Sequence, residues 1–266
     1  MKSTISRRDS AFSSKGFSLV EMLVVLVVAG ILMSVAIPTI SRFARSSSVS
    51  IASRELASAF TLARSYAIKH RTSTYIVFAT PVTFFFNSGK ALSPDQEQAI
   101  PRMLSAYAVI ARQSQMDHPG EVEQFSYIRE WTQLPAGSLL VPFNQSLFGW
   151  VRDNDATNVI QMDNNPPERV REFPFPVQYG EGGGETLPLS YVRFNAQGLI
   201  EYEGKILIAE GSYSYPMNEA GIPYADSFSD VEFEVDREGS MLVLRFFRQG
   251  KVRISEPLRT DEGAKG

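Results

Sequence analysis

The sequence predicts an α+β protein in which one long N-terminal helix packs on an antiparallel β domain. Three observations predict it: an apolar run from Phe17 to Ile37, apolar residues recurring at steps of three and four from Ser41 to Arg71, and a succession of short β-rich stretches from Thr72 onward. The chain has 266 residues, 44% of them hydrophobic and 21% charged, which suffices for one substantial domain plus an appendage and is too apolar for a disordered chain. A formal net charge of -3 argues against a globally basic nucleic-acid binder, and the absence of cysteine removes disulfides, thiolate metal sites and a cysteine nucleophile.

Charge is concentrated at the start. Lys2, Arg7, Arg8 and Lys15 face the single acid Asp9 in residues 1–16, and a basic segment directly before an apolar run holds an N-terminus in the cytoplasm during insertion. The run that follows, FSLVEMLVVLVVAGILMSVAI, carries Glu21 as its only charge. At about 1.5 Å per residue its length matches the roughly 30 Å hydrocarbon core, so residues 17–38 are expected to form a transmembrane helix. Pro38 stands at its end and is expected to kink or locally melt a helix that continues. A carboxylate inside such a helix costs roughly 2.5 kcal/mol or more, so Glu21 is expected to have a partner. The plainer alternative is a carboxylate that simply reaches the headgroups at the cytoplasmic interface.

The stretch KGFSLVEMLVVLVVAGIL resembles the prepilin signal of the type IV pilin superfamily: a basic leader ending in Gly16, an aromatic Phe17, Glu21 four residues further on, and an unbroken apolar helix. The resemblance implies cleavage between Gly16 and Phe17 by a prepilin peptidase on the cytoplasmic face, with N-methylation of the new Phe17 amine. It also implies that Glu21 acts in assembly, and opposite charges in apolar surroundings attract strongly while each alone is costly. The competing reading is an ordinary secretory signal with Met22 to Val35 as its apolar core and a cut near Ala36. Glu21 at the start of that core, and helical spacing that runs on past it, argue against this.

Residues 39–72 are expected to continue the helix. Phe43, Ala52, Leu56, Ala59, Phe60, Ala63, Tyr66 and Ala67 make one apolar face, Arg42, Arg45, Arg54, Glu55, Arg64 and Lys69 supply polar positions, and the serine run Ser46 to Ser50 is expected to be loose. Residues 73–266 read as a β-rich domain. Strands are expected over 74–79, 82–87, 106–111, 125–128, 139–142, 189–194, 205–209, 231–235, 241–247 and 251–255, with turns at 87–89, 135–137, 195–198 and 249–250. Within it REWTQLPAG, VRFNAQGLI and FFRQGKVRI are similar to strands and turns of H-type minor pseudopilins of type II secretion, which implies two small sheets against the helix. Residues 144–185, rich in Asn, Pro and Gly, read as a long inserted loop and depart from that pattern.

Little in the chain points to catalysis. His70 and His118 are the only histidines, and with no cysteine they make no ordinary zinc site. Asp153 and Asp155 begin like a calcium loop, but Asn158 replaces its glycine and Asn164 its bidentate glutamate. The spacing from Gly198 to Lys205 does not fit a phosphate loop, and no serine sits in a nucleophile elbow. Arg245, Arg248, Lys251, Arg253 and Arg259 gather basic charge near the end. Lys251 and Arg253 are candidate nucleic-acid contacts on one strand face, the alternative being a charged edge strand that resists aggregation.

The sequence therefore reads as a non-enzymatic minor pilin or pseudopilin without cofactor or metal, held in the bacterial inner membrane with its β domain periplasmic, then assembled into a periplasmic pseudopilus or surface pilus. Its expected partners are the prepilin peptidase, other pilin subunits through the N-terminal helix, the inner-membrane assembly platform, and a secreted substrate or DNA. The alternatives are a DNA-binding minor pilin for DNA uptake and a membrane-anchored β protein that never polymerises.

Overall fold

The structure is a computed structural model that describes residues 19–79, 99–113, 125–141, 170–175, 186–214, 232–236 and 240–256, with side chains left out at 34–46, 170, 172 and 188. It divides into two compact units, Met1–Phe43 and Ala44–Gly266.

One helix, α1 (Leu19–His70), crosses that division. In the first unit its described side chains are apolar and exposed, from Leu19 to Met33, apart from Glu21 and small residues. Helical backbone continues through Pro38, so the expected melting does not occur. Proline removes one N–H from the ladder, and a helix of this length loses one hydrogen bond rather than its continuity. The serine run is likewise helix, and Ser48 and Val49 within it are buried. Tertiary packing overrides the low helix propensity of serine once its turn lies against a core. The helix ends at His70: Arg71 adopts a left-handed φ of 52°, and the Thr72 N–H donates to the Ala67 carbonyl at 3.2 Å.

In the second unit Ala52, Leu56, Ala59, Phe60, Ala63 and Ala67 are buried in one stripe, as their spacing predicts. Alanines let the helix backbone approach the sheets closely, and Leu56 and Phe60 fill the space between. Two antiparallel sheets receive this stripe. The first joins β1 (Thr74–Phe78), β2 (Ala106–Arg112), β3 (Phe125–Gln133), β5 (Val170–Pro174) and β6 (Thr186–Phe194) in the order β3-β2-β1-β6-β5. The second joins β4 (Ser138–Val141), β7 (Gly204–Ser214), β9 (Met241–Phe246) and β10 (Val252–Ser255) in the order β10-β9-β7-β4, and β8 (Glu232–Val235) pairs the far end of β7.

Strand alternation divides the core. Ile76, Phe78, Tyr107, Val109, Val192 and Phe194 of the first sheet, with Ile206, Ile208, Leu244 and Phe246 of the second, belong to the cluster that contains the helix stripe. Tyr75, Val77, Ala108, Ile110, Phe173, Leu187 and Leu189 occupy the opposite face of the first sheet, so central β1 is buried on both sides. Phe60 bridges the sheets, its ring centroid 6.0 Å from Phe194 and 5.3 Å from Phe246.

Backbone bonds join the sheets at both ends. Left-handed Leu104 (φ 53°) donates to Ala79 at 2.8 Å and accepts from Leu140 at 2.7 Å, and Ile200 donates to Arg248 at 2.9 Å. Strand β5 corrects the reading of 144–185 as one inserted loop, since Val170–Pro174 forms an edge of the first sheet with Phe173 fully buried. Its apolar residues are too few, among Glu, Arg and Pro, to show period-two alternation without the partner strand. The expected strand at 82–87, its turn at 87–89, and most of 144–185 lie outside the described residues.

Phe60→Ala is expected to destabilise the protein by about 3–5 kcal/mol in urea unfolding, because one ring fills space against both sheets. Gly250→Ala is expected to cost roughly 2–3 kcal/mol in the same assay. Gly250 holds φ at 75°, and a Cβ there would stand 2.6 Å from the Gly198 carbonyl oxygen.

Candidate functional site

The N-terminal half of α1 is the first candidate. Glu21 lies near the start of the described part of α1 and is exposed. Gly16 and Phe17, the expected cleavage and methylation positions, lie outside the described residues. Leu19, Leu26, Leu32 and Met33 expose more than half of their surface. Among the described residues no helix is long and apolar enough to cross a membrane, and the side chains of 34–46 are not among them.

The second candidate is polar and joins the helix to the first sheet. Tyr107 of β2 is buried and donates its hydroxyl proton to Glu55 Oε1 of α1 at 3.2 Å, while Arg129 Nη1 of β3 donates to the same hydroxyl at 2.9 Å. Burial, reinforced by the negative charge of Glu55 and opposed by the Arg129 hydrogen bond, pushes the Tyr107 hydroxyl up to about 12. Burial also raises Tyr191, on the other face of the same sheet. There Arg171 stacks over Tyr75 at 5.7 Å and Phe125 at 5.5 Å, and Arg193 pairs with Glu201 at 3.4 Å. The sequence offered Glu55 only as a polar helix position. Its role depends on a tyrosine far away in the chain, and no local pattern links the two.

The basic C-terminal candidates fall in two different settings. Arg253 is in β10, opposite Arg245, which is in turn opposite Lys205, so three cationic residues stand in one cross-strand row. Lys251 precedes β10 and belongs to the turn, its carbonyl accepting from Phe247 N–H at 3.0 Å, so strand alternation does not set its direction. Both are exposed. His70 stacks on Tyr66 with centroids 4.0 Å apart, while His118 and the Asp153 segment lie outside the described residues. No group of three or more His, Asp or Glu among the described residues is arranged to hold a metal ion.

Comparison with protein-family models matches residues 12–37 to the prokaryotic N-terminal methylation motif, a segment that contains Gly16, Phe17 and Glu21. The chain carries a prepilin-type signal. No curated protein and no solved structure matches the chain. The signal supports a type IV pilin-like protein that is processed by prepilin peptidase, a class whose members are structural subunits. The α+β organisation of the second unit, one helix on antiparallel sheets, is the architecture expected for it.

Between about pH 10 and the raised Tyr107 value, the folded protein keeps a proton that the unfolded chain has released. Stability is therefore expected to fall as pH rises through that window and to be fully present below it. Urea midpoints for the wild type and Tyr107→Phe at about pH 8 and about pH 11 check this, with the variant losing less on the rise.

Proposed function

We propose that this chain is a non-enzymatic building block of a type IV pilus or type II secretion pseudopilus. It inserts with residues 1–16 in the cytoplasm and residues 17–38 across the inner membrane, is cut after Gly16 and methylated on Phe17, and is then drawn into a filament. The observation that carries this reading is the methylation motif at 12–37 overlapping a helix whose later part buries its apolar stripe, up to Ala67, in a β-domain core. One rod thus couples an apolar end to a folded periplasmic head. Exposed side chains such as Leu19 and Leu26 need apolar cover, and lipid followed by the helices of neighbouring subunits supplies it.

Glu21 sets axial register in this scheme. An incoming subunit whose Phe17 ammonium meets the carboxylate of its neighbour gains a close ion pair in apolar surroundings, whereas one out of register leaves both charges unpaired. The β domain stays outside the helical core, where it meets other minor subunits or a secreted substrate. The similarity of REWTQLPAG, VRFNAQGLI and FFRQGKVRI to H-type pseudopilin segments supports a minor position in the filament.

Mass spectrometry of the protein recovered from its native membrane tests the reading directly: the mature chain is expected to begin at Phe17 and to carry one added methyl group. A chain that retains residues 1–16, or one trimmed near Ala36, overturns it. Glu21→Val is expected to leave insertion and cleavage intact and to lower recovery in sheared filaments at least about tenfold, the equivalent of roughly 1.4 kcal/mol of lost pairing. Normal recovery of this variant would remove the register role.

A further inference from the structure

Two turns and the last turns of α1 meet at one end of the β domain, and backbone bonds fix their geometry. In the first turn, Asn195 Oδ1 accepts from the N–H groups of Gln197 and Leu199, both at 3.0 Å. In the second, the Gly250 N–H donates to the Phe247 carbonyl at 2.7 Å and the Phe247 N–H to the Lys251 carbonyl at 3.0 Å. The Ile200 N–H donates to the Arg248 carbonyl at 2.9 Å and so locks one turn to the other. Both press on the helix: a Cβ on Gly198 would meet Ile68 Cδ1 at 2.6 Å, and one on Gly250 would meet Arg64 Nε at 2.8 Å.

This braced end carries large apolar side chains that the fold leaves in water. Ile68, Leu199 and Phe247 are 47%, 43% and 37% exposed, although tight turns ordinarily take small or polar residues. Lys69 adjoins Ile68, Arg71 follows the helix, Arg248 adjoins Phe247 and Lys251 closes its turn, all four exposed. None of these four side chains has a hydrogen-bond or ion-pair partner among the described residues. The acids nearby are engaged: Glu201 pairs with Arg193 at 3.4 Å, and Glu203 Oε1 accepts from the Arg248 N–H at 3.0 Å. Positive charge therefore stays in excess around the apolar residues.

The occupant of such a surface has to cover aliphatic side chains and neutralise several cations at once. A DNA duplex answers the cations but gives Ile68 and Leu199 nothing to pack on. A protein partner covers apolar residues, yet the centre of such an interface is depleted in lysine. The interface of a bilayer does both: shallow burial among acyl chains takes the apolar side chains, and phosphate headgroups take the cations on their flexible stems. We propose that this end of the β domain, the 195–200 and 247–251 turns with the C-terminus of α1, is a peripheral binding surface for anionic phospholipid. It is a second membrane contact, separate from the span proposed for residues 17–38, and it stands whether or not the chain enters a filament.

The full-length chain is reconstituted in sucrose-loaded vesicles of neutral phosphatidylcholine and mixed with dye-labelled acceptor vesicles, made of phosphatidylcholine alone or with about 30% phosphatidylglycerol. Anionic acceptors are expected to co-sediment with the protein-bearing vesicles about tenfold more than neutral ones, and about 0.5 M salt to remove most of the difference. Arg248→Glu with Lys251→Glu is expected to bring recruitment down to the neutral level. Leu199→Ser with Phe247→Ser keeps every cation and is expected to lower recruitment about fivefold. Ile68→Gln, at an exposed helix position, repeats the apolar test without touching either turn. Equal recruitment of neutral and anionic acceptors, indifference to the charge reversals, or recruitment that survives both apolar tests would overturn the proposal. So would binding of duplex DNA or polyglutamate through the same cations by a chain that ignores anionic vesicles. A chain that fails to enter its own vesicles defeats the membrane anchor at 17–38 alone, and the surface is then read by direct flotation with the same lipid mixtures and variants.

Discussion

One constraint governs the folded unit: a single helical stripe has to serve as the core of two sheets at once. Phe60 meets that constraint most directly, because its ring lies against Phe194 of the first sheet and Phe246 of the second. Alanines on either side of it keep the helix close enough for both contacts, and larger side chains there would push one sheet away. The sheets are otherwise joined by a few backbone hydrogen bonds near Leu104 and Ile200. Without the helix, both would expose the apolar face that now forms one cluster, and two small sheets do not hold such a face in water.

The same packing explains why serines at 46–50 are helical and why an Arg accepts a left-handed backbone at the helix end. Serine competes for backbone hydrogen bonds and lowers helix propensity by only tenths of a kcal/mol per residue, which burial of Val49 beside it outweighs. At Arg71 the chain has to turn at once into β1, whose five residues are all buried, and the cost of the turn is borne by that strand's place at the centre of the first sheet. Polar atoms inside this interface are few. Tyr107 is satisfied from both sides by Glu55 and Arg129, which ties a helix to two strands without leaving a buried hydroxyl unpaired.

The two halves of α1 are built for different surroundings. From Val49 to Ala67 a stripe of apolar residues is buried, with Ile51 and Ile68 exposed beside it, whereas between Leu19 and Met33 the large apolar residues cover the helix on all sides and are exposed. A helix that is apolar all round is covered by lipid or by other apolar helices wherever it is stable, and the methylation motif lies on that half. Function in the proposed scheme is thus divided along one element, with insertion and axial contacts at one end and a rigid head at the other.

Short-range signals in the sequence were sufficient for the long helix, the prepilin-type signal, the apolar stripe from Ala52 to Ala67 and most strands, because each rests on residues a few positions apart: a run, a period of 3.6 or 2, or a glycine in a turn such as Gly198 or Gly250. They failed where structure depends on distant partners. Val170–Pro174 is a strand because β6 offers it an edge, and Glu55 is more than a solvent-facing acid because Tyr107 arrives beside it from another element. The order of the strands and the sharing of one helix face by two sheets are likewise tertiary. By itself the sequence determined that a hydrophobic rod with one carboxylate near its start leads into a β domain; only the tertiary structure decided which side chains meet, since pairing across a sheet is set by register and packing between segments that share no local code.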